Sequence, residues 1–474
     1  MQLGLNDIIK VEGMNIDPVG FLFRYQNKLF RAINNFHKED ILYLFNSGAI
    51  GELNEAHLIP FTRIADIEVE GYDLILEHQE IEVVTFSIEW SFEMLKEAAK
   101  LIIDVNKILF KYDLETKDAH YHNVIFDYYS PKFIDIGSFQ RRKNSQYWEC
   151  KDEFYSMFLY PMRMWTSGNS QMARKCVSDV SGYLQRYEYT LYRFPFLRVI
   201  PAKFITKISF LFKVLRNLSK FDLDTIFIVK KPELKRRTLK VLHKISLAGF
   251  LPHNSVDLDS LSQKIERIKR PGLSTKWGEY HSNVDKDEQF KEGGRFDIII
   301  KLLKEYNVGE VIEIGGNQGL LSIELRQFIG RVICSDYDEV AVDNMFLNVK
   351  ASKSEITPVL LDLMHPVYLS LNYGPNLRPQ LRFKSQAVLA LALSHHLLLG
   401  QKIPIDVMFR SLIEYTKEYL FIEFTPGGID KSPNPDWYTL DWFRENFKKY
   451  FQLIVEQPSV EDSSRILFFG KIKV

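Results

Sequence analysis

The chain has 474 residues, of which 46% are hydrophobic and 14% aromatic. That length exceeds what one compact core accommodates and predicts two or three domains, each with ample apolar material. Lys plus Arg and Asp plus Glu both total 61, so the basic surplus of a nucleic-acid binder is missing and no nucleic-acid partner is expected.

The opening "MQLGLNDIIKVEGMNIDPVG" carries acids and early glycines where a secretory signal would place basic residues and an apolar run. Cys150, Cys176 and Cys334 are far apart and form no CxxC pair. Free thiols in a reducing cytoplasm, and no metal centre, are the expectation. Apolar runs fall short of the ~18 uninterrupted residues of a membrane span. "ITKISFLFKVL", for example, is broken by Lys207 and Lys213.

Three zones follow one another: 1–195, 196–292 and 293–474. In the first, "FLFRYQNKLFRAI" alternates around a polar centre and predicts a β-hairpin. "GYDLILEHQEIEVVTF" supplies further strand material. "SFEMLKEAAKLIIDVNKILFKY" has apolar residues at helical spacing, with Ser91 as its N-cap. Next comes "KDAHYHNVIFDYYSPKFIDIGSF", in which Asp118 and Asn123 have the D-x-x-x-x-N spacing of a phosphotransfer loop. Asp135 stands where a second metal ligand belongs.

The middle zone is a basic, helical connector. Twelve lysines and arginines between Lys203 and Lys244 are interrupted only by Asp222, Asp224 and Glu233. It reads as a solvated helical face or, alternatively, as a contact to anionic lipid or a phosphorylated glycan carrier.

The last zone alternates strands ("VIEIGG", "RVICSD", "EITPVLLD", "QAVLALAL", "YLFIEFTP") with helices ("QGLLSIELRQF", "DEVAVDNMFLNVKA"). This α/β pattern predicts a parallel, doubly wound sheet. "FQLIVEQ" and "RILFFGKIKV" are expected to close it as an antiparallel pair.

"VIEIGGNQG" places Glu313, Gly315, Gly316, Asn317 and Gly319 between a strand and a helix. Glycines there allow a sharp turn and close approach of a ligand to the backbone. The GxGxxG spacing of a dinucleotide site is absent, and Glu313 inside the turn would repel a pyrophosphate. S-adenosylmethionine, with its cationic amino group and sulfonium, suits an acid at that position. Asp336 ends the second strand, about 20 residues on, placed to accept from ribose hydroxyls, with Asp338 assisting. Asp362 follows the third strand, where an acid can take the adenine amino group.

With these residues, 311–474 resembles the class I S-adenosylmethionine-dependent methyltransferases. "EIGGNQG" is similar to their D/E-x-G-x-N-x-G motif, and "LALSHHLLLG" to an ALxHHL signature after the fourth strand. "EWSFEMLKEAA" and the Asp118 stretch resemble the N-terminal part of one bacterial subgroup, found near surface-polysaccharide and nodulation-factor genes. The resemblance implies a Rossmann-like methyltransferase sheet and a small-molecule or glycan acceptor. One departure is Gln386, where the subgroup tends to carry an acid. An alcohol acceptor benefits from a general base. By position after the fourth strand, and by the family pattern, His396 is the first choice and His395 the second, with Glu423 behind them; the alternative is that both histidines only orient the loop or cap a helix. The N/D-P-P-Y/F tetrad of nucleobase amino methylases is absent, which favours an oxygen acceptor. Trp277 and Tyr280 either cover the cofactor, stack on a sugar, or simply pack. The segment 363–385 is a candidate lid, with Arg382 and Lys384 near the pocket.

The Asp118–Asn123–Asp135 pattern resembles small-molecule kinases of the aminoglycoside type. Phosphoryl transfer also needs a phosphate cradle and a lysine. Here "SGAIG" (47–51) is a poor substitute for a glycine loop, and "KLFRAI" puts Arg31 where the lysine is expected. The expectation is an α+β kinase-like domain kept as scaffold or acceptor-binding module. An active kinase joined to the methyltransferase, a non-catalytic binding protein, and an unrelated N-terminal fold in which Asp118 and Asp135 serve structure are the alternatives.

Overall fold

The computed structural model describes residues 2–11, 18–143, 148–178, 184, 186–193, 257–270, 272, 275, 289–367, 378–429, 434–459 and 465–473. The basic run 203–244, Trp277, Tyr280 and 368–377 of the candidate lid lie outside them.

The N-terminal strands are β1 (Gln2–Leu3), β2 (Ile9–Lys10), β3 (Gly20–Tyr25), β4 (Lys28–Ile33), β5 (Thr62–Ile64), β6 (Glu68–Val69) and β7 (Leu74–His78). β3 and β4 pair across Gln26 and Asn27, whose φ values of 47° and 58° are left-handed. A turn of that hand matches the twist of the flanking strands, so the hairpin forms where the polar centre predicts it. Five strands make an antiparallel sheet in the order β2-β3-β4-β7-β5. Helices Lys38–Asn46 and Ala49–Glu55 are inserted between β4 and β5. Of "GYDLILEHQEIEVVTF" only Leu74–His78 is strand. The remainder is a loop whose Val83 packs into the core of the C-terminal sheet.

The helix Phe92–Lys111 runs through the larger core, burying Leu95, Ala98, Ile102, Val105 and Leu109. Ser91 stands at its N-cap, but the Ser91 side chain makes no capping bond. Asp343, 250 residues downstream, accepts instead from the Glu93 amide at 2.9 Å. Then come β8 (Leu114–Thr116), β9 (Val124–Asp127), β10 (Ser130–Phe133) and β11 (Phe139–Arg141), as the antiparallel pairs β8/β11 and β9/β10. Part of the expected connector belongs to this core: Leu258, Leu261 and Ile265 of the helix Leu258–Glu266 pack into it.

The C-terminal strands are β12 (Glu310–Ile314), β13 (Arg331–Asp336), β14 (Thr357–Leu360), β15 (Ser385–Ala390), β16 (Thr416–Phe424), β17 (Phe451–Pro458) and β18 (Ile466–Ile472). They form one sheet in the order β14-β13-β12-β15-β16-β18-β17. The first five neighbours are parallel; β18 is antiparallel to both β16 and β17. Ile312, Ile333, Val388 and Leu420 face one apolar layer, and Val311, Val332, Leu389 and Phe421 the other. Strands buried on both faces read as continuous apolar runs for this reason. Strand order reverses between β12 and β15, the place where doubly wound sheets open a crevice at the carboxyl ends of their strands.

The two halves are packed together. Phe346, from the helix Glu339–Ser352, sits edge-on against Phe126 with ring centroids 5.9 Å apart and joins the N-terminal core. Arg382 pairs with Glu89, both side chains more than nine-tenths buried. Among the described residues no helix is long and apolar enough to cross a membrane.

Candidate functional site

A cavity of about 290 Å³ opens at the carboxyl ends of β12 and β15. Glu313, Gly315, Gly316, Asn317, Asp336, Asp362, His395 and His396 all line it. Gly319, Asp338 and Glu423 do not.

The turn after β12 is left-handed at Gly315 (φ 77°), Asn317 (φ 53°) and Gly319 (φ 77°). Gly316 is demanded by space rather than by φ. A Cβ there would overlap the Cys334 sulfur and come within 3.0 Å of the Glu313 carboxyl. Gly319 stands at the N-cap of the helix Leu320–Leu325, where a Cβ would press on Met345 at 3.0 Å. It shapes the turn without reaching the cavity.

Asp336 ends β13, is 5% exposed, and is gripped by the main chain. Its Oδ2 accepts from the Asn317 amide at 2.9 Å, and its Oδ1 from the Asp338 amide at 2.8 Å. Burial pushes its pKa up to about 6, against the opposing pull of those amides. Glu313 is equally buried. Its Oε2 accepts from the Ser322 hydroxyl at 2.6 Å, and burial raises its pKa. Glu313 therefore anchors the helix beneath the turn as well as walling the cavity. The Cys334 thiol beside it is pushed up by burial and is inert as a nucleophile. Asp362 takes the Met364 and His365 amides at 2.9 and 3.1 Å and stays half-exposed at the rim.

Three expectations are corrected. Asp338 is an N-cap: its Oδ1 accepts from the amides of Val340 (2.8 Å) and Ala341 (3.0 Å) and from the Thr275 hydroxyl (3.1 Å). An acid two residues past the strand end caps the helix that begins there. Glu423 is not a free base. Arg295 holds both its oxygens, at 2.7 and 2.6 Å, and the Ala392 amide adds a bond at 2.9 Å. Burial opposes ionisation of Glu423, but Arg295 prevails and keeps its pKa below the usual range. Arg382 and Lys384 do not line the cavity either. Arg382 is consumed at the junction with Glu89.

His395 is 6% exposed, and its Nδ1 has no hydrogen-bond partner among the described residues. Burial, with the neighbouring His396 (ring centroids 4.0 Å apart), pushes its pKa down to about 3. It is neutral at physiological pH. His396, less buried, begins a π-helical turn, His396–Gly400, on the cavity wall.

In the N-terminal half, Arg31 on β4 faces Asp135, 3.8 Å from its carboxylate, and Asp135 also accepts from the Gly137 amide at 3.1 Å. Asn123 is buried in the short helical turn Tyr121–Asn123, and Asp118 is half-buried before it. "SGAIG" joins two helices, with Gly48 (φ 91°) at the N-cap of the second. It cannot arch over a nucleotide as a strand-joining loop would.

Arg295, Tyr337 and Arg465 also line the cavity and were not singled out from sequence. Tyr337 follows the strand-end acid, a local cue that could have flagged it. Arg295 and Arg465 arrive from remote segments, and no spacing pattern marks them.

No protein-family model matches the chain. Nodulation protein NoeA of Rhizobium meliloti (strain 1021) is 25% identical over 436 residues, covering 88% of this chain and 85% of that protein. Among solved structures, magnesium protoporphyrin IX methyltransferase from Synechocystis PCC 6803 with bound SAM aligns with 47% of this chain and all of its own, at 15% identity and TM-score 0.32. N-methyltransferase NodS from Bradyrhizobium japonicum WM9 aligns with 40% of this chain and 99% of its own, at 12% identity and TM-score 0.30.

Proposed function

We propose that this chain is an S-adenosylmethionine-dependent methyltransferase that methylates an oxygen of a sugar or glycan-related acceptor. The observation that carries the reading is the cavity at the strand-order reversal, walled by Glu313, Asp336 and Asp362. Three carboxyl groups repel a pyrophosphate and suit a ligand that is cationic and rich in hydroxyl and amino donors. The missing Cβ of Gly316 lets the turn that lines the cavity pack against Cys334 and Glu313.

The cofactor supplies an electrophilic methyl on a sulfonium. Asp336, held by two amides, accepts from the ribose hydroxyls, and Asp362 accepts from the adenine amino group. Rate arises largely from in-line positioning of the acceptor oxygen. His396 takes the proton of that hydroxyl. His395, locked neutral, holds its neighbour and offers one ring nitrogen as a hydrogen-bonding atom. Arg295 and Glu423 form a fixed ion pair under the β15 loop, which keeps the histidine-bearing turn in register.

The N-terminal half serves as a kinase-derived scaffold or acceptor-binding module. Arg31 opposite Asp135 supports this role, because an arginine there neutralises the acid that a nucleotide-bound metal would need.

Calorimetric titration with S-adenosylmethionine, followed by transfer of labelled methyl to glycan extracts, tests the proposal. One-site binding, weakened in Asp336→Asn, is expected. Binding of Mg-ATP alone, abolished by Asp135→Ala, would overturn it in favour of phosphotransfer. No response to either ligand leaves neither enzyme reading standing.

A further inference from the structure

A second group of chemically reactive side chains lies in the N-terminal half and is independent of the methyl-transfer reading. Asp118, His120 and Glu153 each offer one ligand atom, and these atoms lie within 4.8 Å of one another. Asp118 and His120 sit on the loop that follows β8, and Glu153 on the helix Lys151–Phe154. The Ala119 amide donates to Glu153 Oε2 at 2.6 Å and fixes that helix against the loop.

Hydrogen bonding there is incomplete among the described residues. His120 Nδ1 is buried without a partner among the described residues. Buried polar atoms are nearly always satisfied by protein, water or a bound species. Two half-buried carboxylates whose oxygens come this close can share one cation. The His120 imidazole adds a nitrogen donor, and it converts a merely acidic cluster into a mixed nitrogen–oxygen ligand set.

We propose that Asp118, His120 and Glu153 bind a divalent cation. The imidazole favours Mn²⁺, Co²⁺ or Zn²⁺ over Mg²⁺ or Ca²⁺, which prefer oxygen alone. Three protein ligands leave coordination positions open to an oxygen-bearing ligand. The ion ties the Asp118 loop to the Glu153 helix. Asp135 plays no part in it, so the site differs from the pair Asn123–Asp135 that a kinase resemblance would give to nucleotide-bound metal.

The test is to free the full-length chain of metal with a chelator and titrate it with Mn²⁺, following free ion by electron paramagnetic resonance. A parallel Co²⁺ titration reads ligand type from visible absorption. One ion per chain is expected, without thiolate absorption. His120→Ala and Glu153→Gln should each weaken binding by roughly tenfold or more, while exposed Glu445→Gln leaves it unchanged. Circular dichroism of each variant separates lost binding from lost folding, and His120→Asn provides a milder substitution. Absence of stoichiometric binding to the unmodified chain overturns the proposal. So does binding that survives both substitutions, or a Mg²⁺ site that appears only with ATP, persists in His120→Ala and vanishes in Asp135→Ala.

Discussion

The acids at the carboxyl edge of the seven-stranded sheet differ from those around Asp118 in what holds them. Asp336 and Asp362 each accept two main-chain amides, and Glu423 is saturated by Arg295 and an amide. Around His120 the loop leaves that residue's Nδ1 buried without a partner among the described residues. Strand ends and helix starts supply amides at fixed positions, so acids there are oriented before any ligand arrives. An irregular loop supplies fewer amides at fixed positions.

Glu423→Gln should break this contrast most severely. It leaves the Arg295 guanidinium buried beside a neutral amide, and loss of one partner of such a pair costs about 3–5 kcal/mol. Urea unfolding of the variant measures it. A change below about 1 kcal/mol, with methyl transfer abolished, would return Glu423 to the list of bases.

Asp336→Asn should weaken S-adenosylmethionine binding by about 1.5–3 kcal/mol, the worth of a hydrogen bond to a charged group, as read by calorimetry. Folding should hardly suffer. The native pKa of about 6 lies above the ordinary 3.8, so the protonated form is favoured in the folded chain. Its stabilising contribution is complete below about 3.8 and is lost as pH rises through about 6. Ligand affinity moves the opposite way, because only the carboxylate accepts both hydroxyls: it should strengthen as pH rises through about 6. Asp343, also near 6 through burial, adds to the stability trend but not to the affinity trend.

Asp338→Ala tests the correction made above. Loss of an N-cap costs about 1 kcal/mol, with cofactor affinity close to that of the parent chain. Thermal melts and calorimetry on one sample give both values. Abolished binding with an unchanged melt would make Asp338 a ribose ligand after all. The smallest effect is expected from His395. Its pKa of about 3 keeps it neutral, so His395→Asn should leave the shape of the pH–rate profile near neutrality unaltered. A limb that disappears in that variant would give it the base role here assigned to His396.

Much of the C-terminal half was legible because its signals are local. β12 through β16 read as apolar runs, and the glycines and acids of the turn are adjacent in sequence. Six of the eight cofactor-site residues proposed from sequence line one cavity: Glu313, Gly315, Gly316, Asn317, Asp336 and Asp362. The N-terminal half was less legible. Its hairpin was clear from "QNK", but "EIEVVTF" looked like strand and is a loop, held by Val83 in the other half's core and by Arg382 donating to the Val84 carbonyl.

The sequence by itself determined the alternation of strands and helices, the tight turn after β12 and the acids at the strand ends. These follow from side-chain periodicity and backbone freedom within a few residues. Only the tertiary structure decided which acids are free to meet a ligand. Asp338 and Glu423 look as available as Asp336 along the chain. A helix start claims the first, and a guanidinium 128 positions away claims the second. Asp343 likewise caps a helix 250 residues upstream. Partners at such distances are chosen by how elements pack, and local pattern carries no record of that choice.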